Sequence, residues 1–150
     1  MDPSLSIHIL FLLILLIASS FFSASETALM SLSKIDVRYL VEQNIKGADK
    51  LDKLLSDSNK LLSAILVGNN LVNIGASSLA TMIAINLSGG AGVGIATGIM
   101  TLLILVFGEI TPKSFAAQNA QSIALKVTPI IYLFVTLFSP IVKILMFITS

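Results

Sequence analysis

Three clusters of oxygen-bearing side chains stand out in an otherwise apolar sequence. The first is Glu109, set in Gly108-Glu109-Ile110-Thr111-Pro112-Lys113 at the end of the uncharged run from Gly94 to Phe107. A carboxylate in hydrocarbon is expensive enough that it marks a functional site. The bracketing glycine and proline favour a broken helix end with exposed backbone carbonyls. The second cluster is Ser19, Ser23 and Glu26 or Thr27, spaced to share one helix face. The third is Gly68-Asn69-Asn70-Leu71-Val72-Asn73, where Asn70, Asn73, Ser77 and Thr81 fall in a polar stripe at helical spacing. Hydroxyls, amide oxygens, carbonyls and one or two carboxylates are hard donors. They suit Mg²⁺, Ca²⁺, Mn²⁺ or Na⁺ and disfavour zinc or copper. The low formal charge favours weak binding and release, as transport requires. The competing reading for each serine and asparagine is an interhelical hydrogen bond that fastens a bundle. For Glu26 it is a contact with headgroups or Lys34.

The elements that would hold these groups are membrane-spanning. The chain is 55% hydrophobic and 11% charged, with a mean hydropathy of +0.97, far from a soluble domain. Six of its nine Lys and Arg and five of its eight Asp and Glu lie between Lys34 and Lys60. Residues 5–32 read as a first span, longer than the roughly 20 apolar residues a bilayer needs. No base precedes it, whereas Lys34 and Arg38 follow, which puts the N-terminus outside. The absent basic flank also argues against a cleaved signal peptide. Residues 34–60 read as short amphipathic helices on the cytoplasmic surface, interrupted by Gly47. Residues 61–87 and 93–112 read as a second and third span joined by a tight turn at Ser88-Gly89-Gly90-Ala91-Gly92. Gly90, Gly94 and Gly98, with Ala64 and Gly68, give the spacing that lets helix backbones approach closely.

The last segment, 122–150, has two readings. Only 16 residues separate Lys126 from Lys143, and Pro129 and Pro140 fall among them. A kinked helix lying along the inner leaflet as a belt is favoured over a fourth crossing. Taking Lys34 and Lys60 as the inner boundary, Ser23 and Asn70 each lie about ten residues, or roughly 15 Å, inward. A break at Gly108 would let Glu109 join them in one pocket open to the cytoplasm.

Hydrolytic chemistry finds little support. No cysteine exists, and the lone His8 sits 15 residues from Ser23, about four helical turns, so the serine has no base in reach. No HExxH or paired-aspartate motif is present. The expectation is a transporter rather than an enzyme, with no nucleic-acid partner. The alternative is a membrane scaffold or regulatory subunit whose polar residues only pack helices.

Taken together and in order, Phe22-Ser23-Ala24-Ser25-Glu26-Thr27-Ala28-Leu29, Gly68-Asn69-Asn70-Leu71-Val72-Asn73 and Gly108-Glu109-Ile110-Thr111-Pro112-Lys113 resemble the transmembrane domain of the CorB/CorC and cyclin M (CNNM) magnesium transporters, the domain called DUF21. The resemblance covers essentially the whole chain. It implies an all-α membrane fold: a homodimer of three-span protomers with short cytoplasmic helices and a kinked juxtamembrane belt helix. It further implies Mg²⁺ held in an inward-facing cavity for export, driven by Na⁺. Ser23, Asn73, Gly108 and Glu109 carry over as magnesium ligands or pocket lining, and Asn70 joins them as a near neighbour of Asn73 on the helix. Members of that family continue into a cytoplasmic CBS-pair module similar to those that bind ATP. Such a module is expected after residue 150, and any nucleotide regulation would come through it.

Overall fold

A computed structural model describes residues 2–149. Ser150, the last residue of the expected belt segment, lies outside them. The described residues are helical, with no strand among them: α1 (Pro3–Ser31), α2 (Lys34–Glu42), α3 (Ala48–Leu55), α4 (Ser58–Ser88), a 3-10 turn (Gly89–Ala91), α5 (Gly92–Leu103), a π-helical stretch (Ile104–Ile110), α6 (Thr111–Gln118) and α7 (Ala120–Thr149). Three runs are long and apolar enough to cross a membrane: Pro3–Ser31, Ser58–Gln118 and Ala120–Thr149. The middle run has 61 residues, about 90 Å of helix or roughly three bilayer cores. It folds back on itself where Gly89 adopts φ +64°, a conformation open to glycine at no steric cost.

The chain divides into two compact units, residues 1–23 with 69–112, and residues 24–68 with 113–150. In the first, Ala76, Ala80 and Met100 form a buried cluster that gathers Leu12, Leu15, Leu16, Leu103 and Ile104 around it. Small residues on α4 thus seat the larger side chains of α1 and α5. Around this core Ile7, Leu10, Phe11, Ile14 and Ile17 are exposed, the pattern of helices whose outer surface meets lipid rather than water.

The second unit holds the charged segment. α2 begins with a capping box: Asp36 N–H donates to Ser33 Oγ, and Ser33 N–H donates to the Asp36 carboxylate. It buries Val37 and Leu40 and turns its charges outward. α3 follows Gly47, whose φ of +88° ends the loop, and buries Ala48, Leu51 and Leu54. The two amphipathic helices expected over 34–60 are therefore present. α3 packs on α7, where the Lys50 ammonium sits 5.7 Å from the Tyr132 ring centre. α7 runs unbroken through Pro129 and Pro140 and buries Ala124, Thr128, Ile131, Val135 and Val142 along one side. Their intervals of three, four and seven residues are those of a helix with one packed face.

Two expectations need correction. The helix does not break at Gly108. It widens into π-helical turns, with Thr111 N–H donating to Val106 C=O, and continues into α6. Pro112 is the second residue of α6, and because the helix is continuous there its missing N–H removes one donor from the preceding turn. The Gly90, Gly94 and Gly98 row also makes no close helix contact among the described residues, since a methyl group added at any of the three would meet none of their atoms within 4 Å.

Candidate metal centre

All five residues singled out from the sequence lie in the first unit. α1 brings Ser19 and Ser23, one turn apart and both fully buried. α4 brings Asn69 and Asn73, likewise one turn apart. The π-helical stretch brings Gly108 and Glu109. Ser19 Oγ donates to Asn73 Oδ1 at 2.6 Å and lies 3.4 Å from Asn69 Oδ1. Asn69 in turn donates from Nδ2 to Glu109 Oε1 at 3.0 Å. The half-buried carboxylate is thus tied to α4, and through it to α1, by side chains that all expose oxygens.

Two details bear on what this cluster can hold. Ser23 Oγ is buried and has no hydrogen-bond partner among the described residues, although burying an unpaired hydroxyl costs on the order of 1–3 kcal/mol. Gly108 is pressed against α1, so that a Cβ there would lie 2.8 Å from Ser19 Oγ and 3.6 Å from Ser19 Cβ. The backbone carrying Glu109 can come this near the serine only because residue 108 lacks a side chain. Pro112 adds a third element by covalent necessity. It has no N–H, so neither the Gly108 carbonyl four residues before it nor the Phe107 carbonyl five residues before it can receive a bond from it.

Sequence spacing and structure part company at one position. Asn70 is exposed, whereas Asn69, 8% exposed, occupies the place in the cluster beside Asn73. One residue along a helix is about 100° of rotation, and the i, i+4 pairing of Asn69 with Asn73 was the signal that would have identified it. Ser19, noted only as sharing a face with Ser23, proves to be the hinge of the network. The polar stripe does not extend outward as one site: Ser77 and Thr81 line a separate small cavity of about 240 Å³ with Thr97 and Thr101. There the Thr81, Thr97 and Thr101 hydroxyls donate to carbonyls of their own helix. Glu26, in the second unit, pairs with Lys113 at 3.5 Å and not with Lys34. Among the described residues no three His, Cys, Asp or Glu side chains converge, so a cation at the cluster would be held by neutral oxygens around a single carboxylate.

The comparisons decide the family. The model of the cyclin M transmembrane N-terminal domain matches residues 9–150. The chain belongs to this family. A UPF0053 protein of Haemophilus influenzae is 48% identical over 138 residues, covering 92% of this chain and 33% of the relative. A UPF0053 inner membrane protein of Escherichia coli is 44% identical over 106 residues, 71% of this chain and 25% of that protein. A chloroplastic DUF21 domain-containing protein of Arabidopsis thaliana is 42% identical over 130 residues, 86% of this chain and 20% of that one. The cyclin M domain described here therefore spans a third or less of the length of these relatives. With its long apolar helices, it is a multi-pass membrane domain.

Proposed function

We propose that this cyclin M domain binds and transports Mg²⁺, with Glu109, Asn69, Asn73, Ser23 and the Gly108 carbonyl as the oxygen donors that receive it. The observation that carries the reading is the Asn69–Glu109–Ser19–Asn73 cluster, with Ser23 buried beside Ser19 on α1 and lacking a partner. A cation supplied to this cluster satisfies the Ser23 oxygen and is neutralised by Glu109. Mg²⁺ gives up water reluctantly and wants near-octahedral oxygens at about 2.0–2.1 Å, so shedding its hydration shell is the difficult step. Neutral amide and hydroxyl donors replace that shell, and one carboxylate supplies charge without binding the ion too firmly to release.

In this proposal the ion enters from the cytoplasm, with the N-terminus outside, residues 34–60 and the carboxy-terminal end inside, and α7 lying along the inner leaflet as a belt. Export driven by Na⁺ completes the scheme. The protein works as a homodimer in the bilayer, and the uncovered Gly94 and Gly98 face supports close approach of a second copy. ATP would act only through a cytoplasmic module outside this domain. This assigns ion translocation, not enzymatic chemistry, to the chain.

The scaffold reading has one observation in its favour: Ser19 bonding both asparagines is also how helices are fastened in lipid. The deciding experiment is Mg²⁺ flux into vesicles carrying the purified full-length protein, compared with its Glu109→Gln form. Flux lost in the variant supports transport. Absence of flux in the unsubstituted protein, with the fold intact, favours the scaffold.

A further inference from the structure

A cavity of about 670 Å³ in the second unit lies where α1 ends and is walled by α2, the end of α3 and the start of α4. Its rim carries two bases and two acids. Lys34, Arg38 and Glu42 stand one turn apart on a single face of α2, and Asp52 joins them from α3. Its apolar wall includes Leu29 and Leu55. None of these four charges forms an ion pair within 4 Å among the described residues; the ion pair of this unit is Lys113 with Glu26. Arg38 and Glu42 have the i, i+4 spacing at which opposite charges on a helix ordinarily pair, yet they face a shared space unpaired.

A ligand that completes this cavity must carry an anion for Lys34 and Arg38, a cation for Glu42 and Asp52, and an apolar portion for the wall. The cavity opens at the carboxy-terminal end of an apolar helix long enough to span a bilayer, and hence at headgroup level. We infer that it binds a glycerophospholipid whose headgroup joins a phosphate to a primary ammonium, as in phosphatidylethanolamine. A primary ammonium donates hydrogen bonds to carboxylates. A quaternary ammonium cannot, and is recognised instead by aromatic faces; no aromatic residue lines this cavity. A singly anionic headgroup would satisfy the bases and leave both acids unmatched, which penalises it. This inference is independent of Mg²⁺ transport.

The test is native mass spectrometry of the full-length protein released from bilayers of equimolar phosphatidylethanolamine, phosphatidylcholine and phosphatidylglycerol. Retained phosphatidylethanolamine should exceed each of the others by about two- to fivefold, the range expected of solvent-exposed charge pairs. Glu42→Gln with Asp52→Asn should shift retention toward phosphatidylglycerol, and Lys34→Gln with Arg38→Gln should abolish selectivity. Lys53→Gln with Asp49→Asn, which alters charge elsewhere on α3, should change nothing. Should a double variant fail to fold, judged by its thermal transition, Arg38→Gln alone must still reduce the preference. Equal retention of all three lipids, unchanged selectivity in the rim variants, or full displacement by glycerophosphoethanolamine or inorganic phosphate would overturn the inference. So would cross-linking of position 38 to another segment of the protein in place of lipid.

Discussion

The two units differ in where they keep their charged and polar groups. The first hides a few of them, Ser19, Ser23 and Asn69, inside apolar helices and ties them to one half-buried carboxylate. The second also buries Ser25 and Thr128, the Thr128 hydroxyl donating to the Ala124 carbonyl of its own helix, but displays many charges outward over a floor of Leu40, Leu51 and Leu54 and pairs the partly exposed Glu26 with Lys113. In the first unit a polar group is worth its burial only if something meets it, because an unsatisfied hydroxyl or charge in hydrocarbon is costly. In the second, water meets the charges, and stability comes from the apolar residues beneath. Function should therefore fail at polar residues in the first unit, and folding at apolar residues in the second.

The largest expected effect tests the second half of that statement. Leu51, fully buried under α3, should on replacement by alanine lower stability by about 2–5 kcal/mol, with Mg²⁺ protection against heat retained in whatever fraction folds; thermal scans with and without Mg²⁺ read both. Next is Glu109→Gln, which keeps the shape and the contact with Asn69 but removes the charge. Its Mg²⁺ affinity should fall by about 10- to 100-fold, the value of a charged rather than neutral acceptor, while the apo protein unfolds where the parent does. A titration giving parental affinity would end the metal assignment of Glu109.

Gly108→Ala sharpens the contrast inside the first unit. The added methyl collides with the Ser19 hydroxyl, and overpacking of this kind costs about 1–3 kcal/mol. Combining it with Ser19→Ala removes the hydroxyl that is struck, so stability should partly recover while Mg²⁺ binding does not. Additive losses in that double-variant cycle would mean the two residues are not in contact. Smaller still is Lys113→Gln: a partly exposed ion pair contributes about 0.2–1 kcal/mol, and the same loss should follow from Glu26→Gln.

The smallest effect concerns pH. Hydrogen bonds from the Ser33 hydroxyl and N–H hold the Asp36 carboxyl below its ordinary value. A group depressed in the folded state contributes stability above its unfolded pKa and loses it as pH falls through the folded one. The cap of α2 should therefore loosen only under acid, below about pH 4. Ser33→Ala should raise the Asp36 titration midpoint observed by NMR.

Much of this organisation was legible in the sequence, because composition and helical period are strong signals over long spans. The long apolar helices, the turn at Gly89 and the two amphipathic helices followed from residue type and spacing, whereas the set Ser23, Asn73, Gly108 and Glu109 came from the family resemblance. What escaped depends on rotation and on distant partners. Asn70 and Asn69 are chemically the same, and only the packing of α4 decides which faces inward. Pro112 announced a missing donor at Gly108 but not whether the helix would break or widen. Lys113 is remote in sequence from Glu26, so Lys34 was the nearer candidate.

The π-helical stretch has a consequence for how this domain can change length. A π-helix spends more residues on each turn than an α-helix, so Ile104–Ile110 contains slack that the flanking helices do not. Deleting one residue there can be absorbed by tightening to α geometry, leaving α5 and α6 in phase. The same deletion within α5 would swing everything after it by about 100°. The acidic residue thus sits on a segment of its span that can lose a residue without unthreading the rest, and deletions among relatives should collect there.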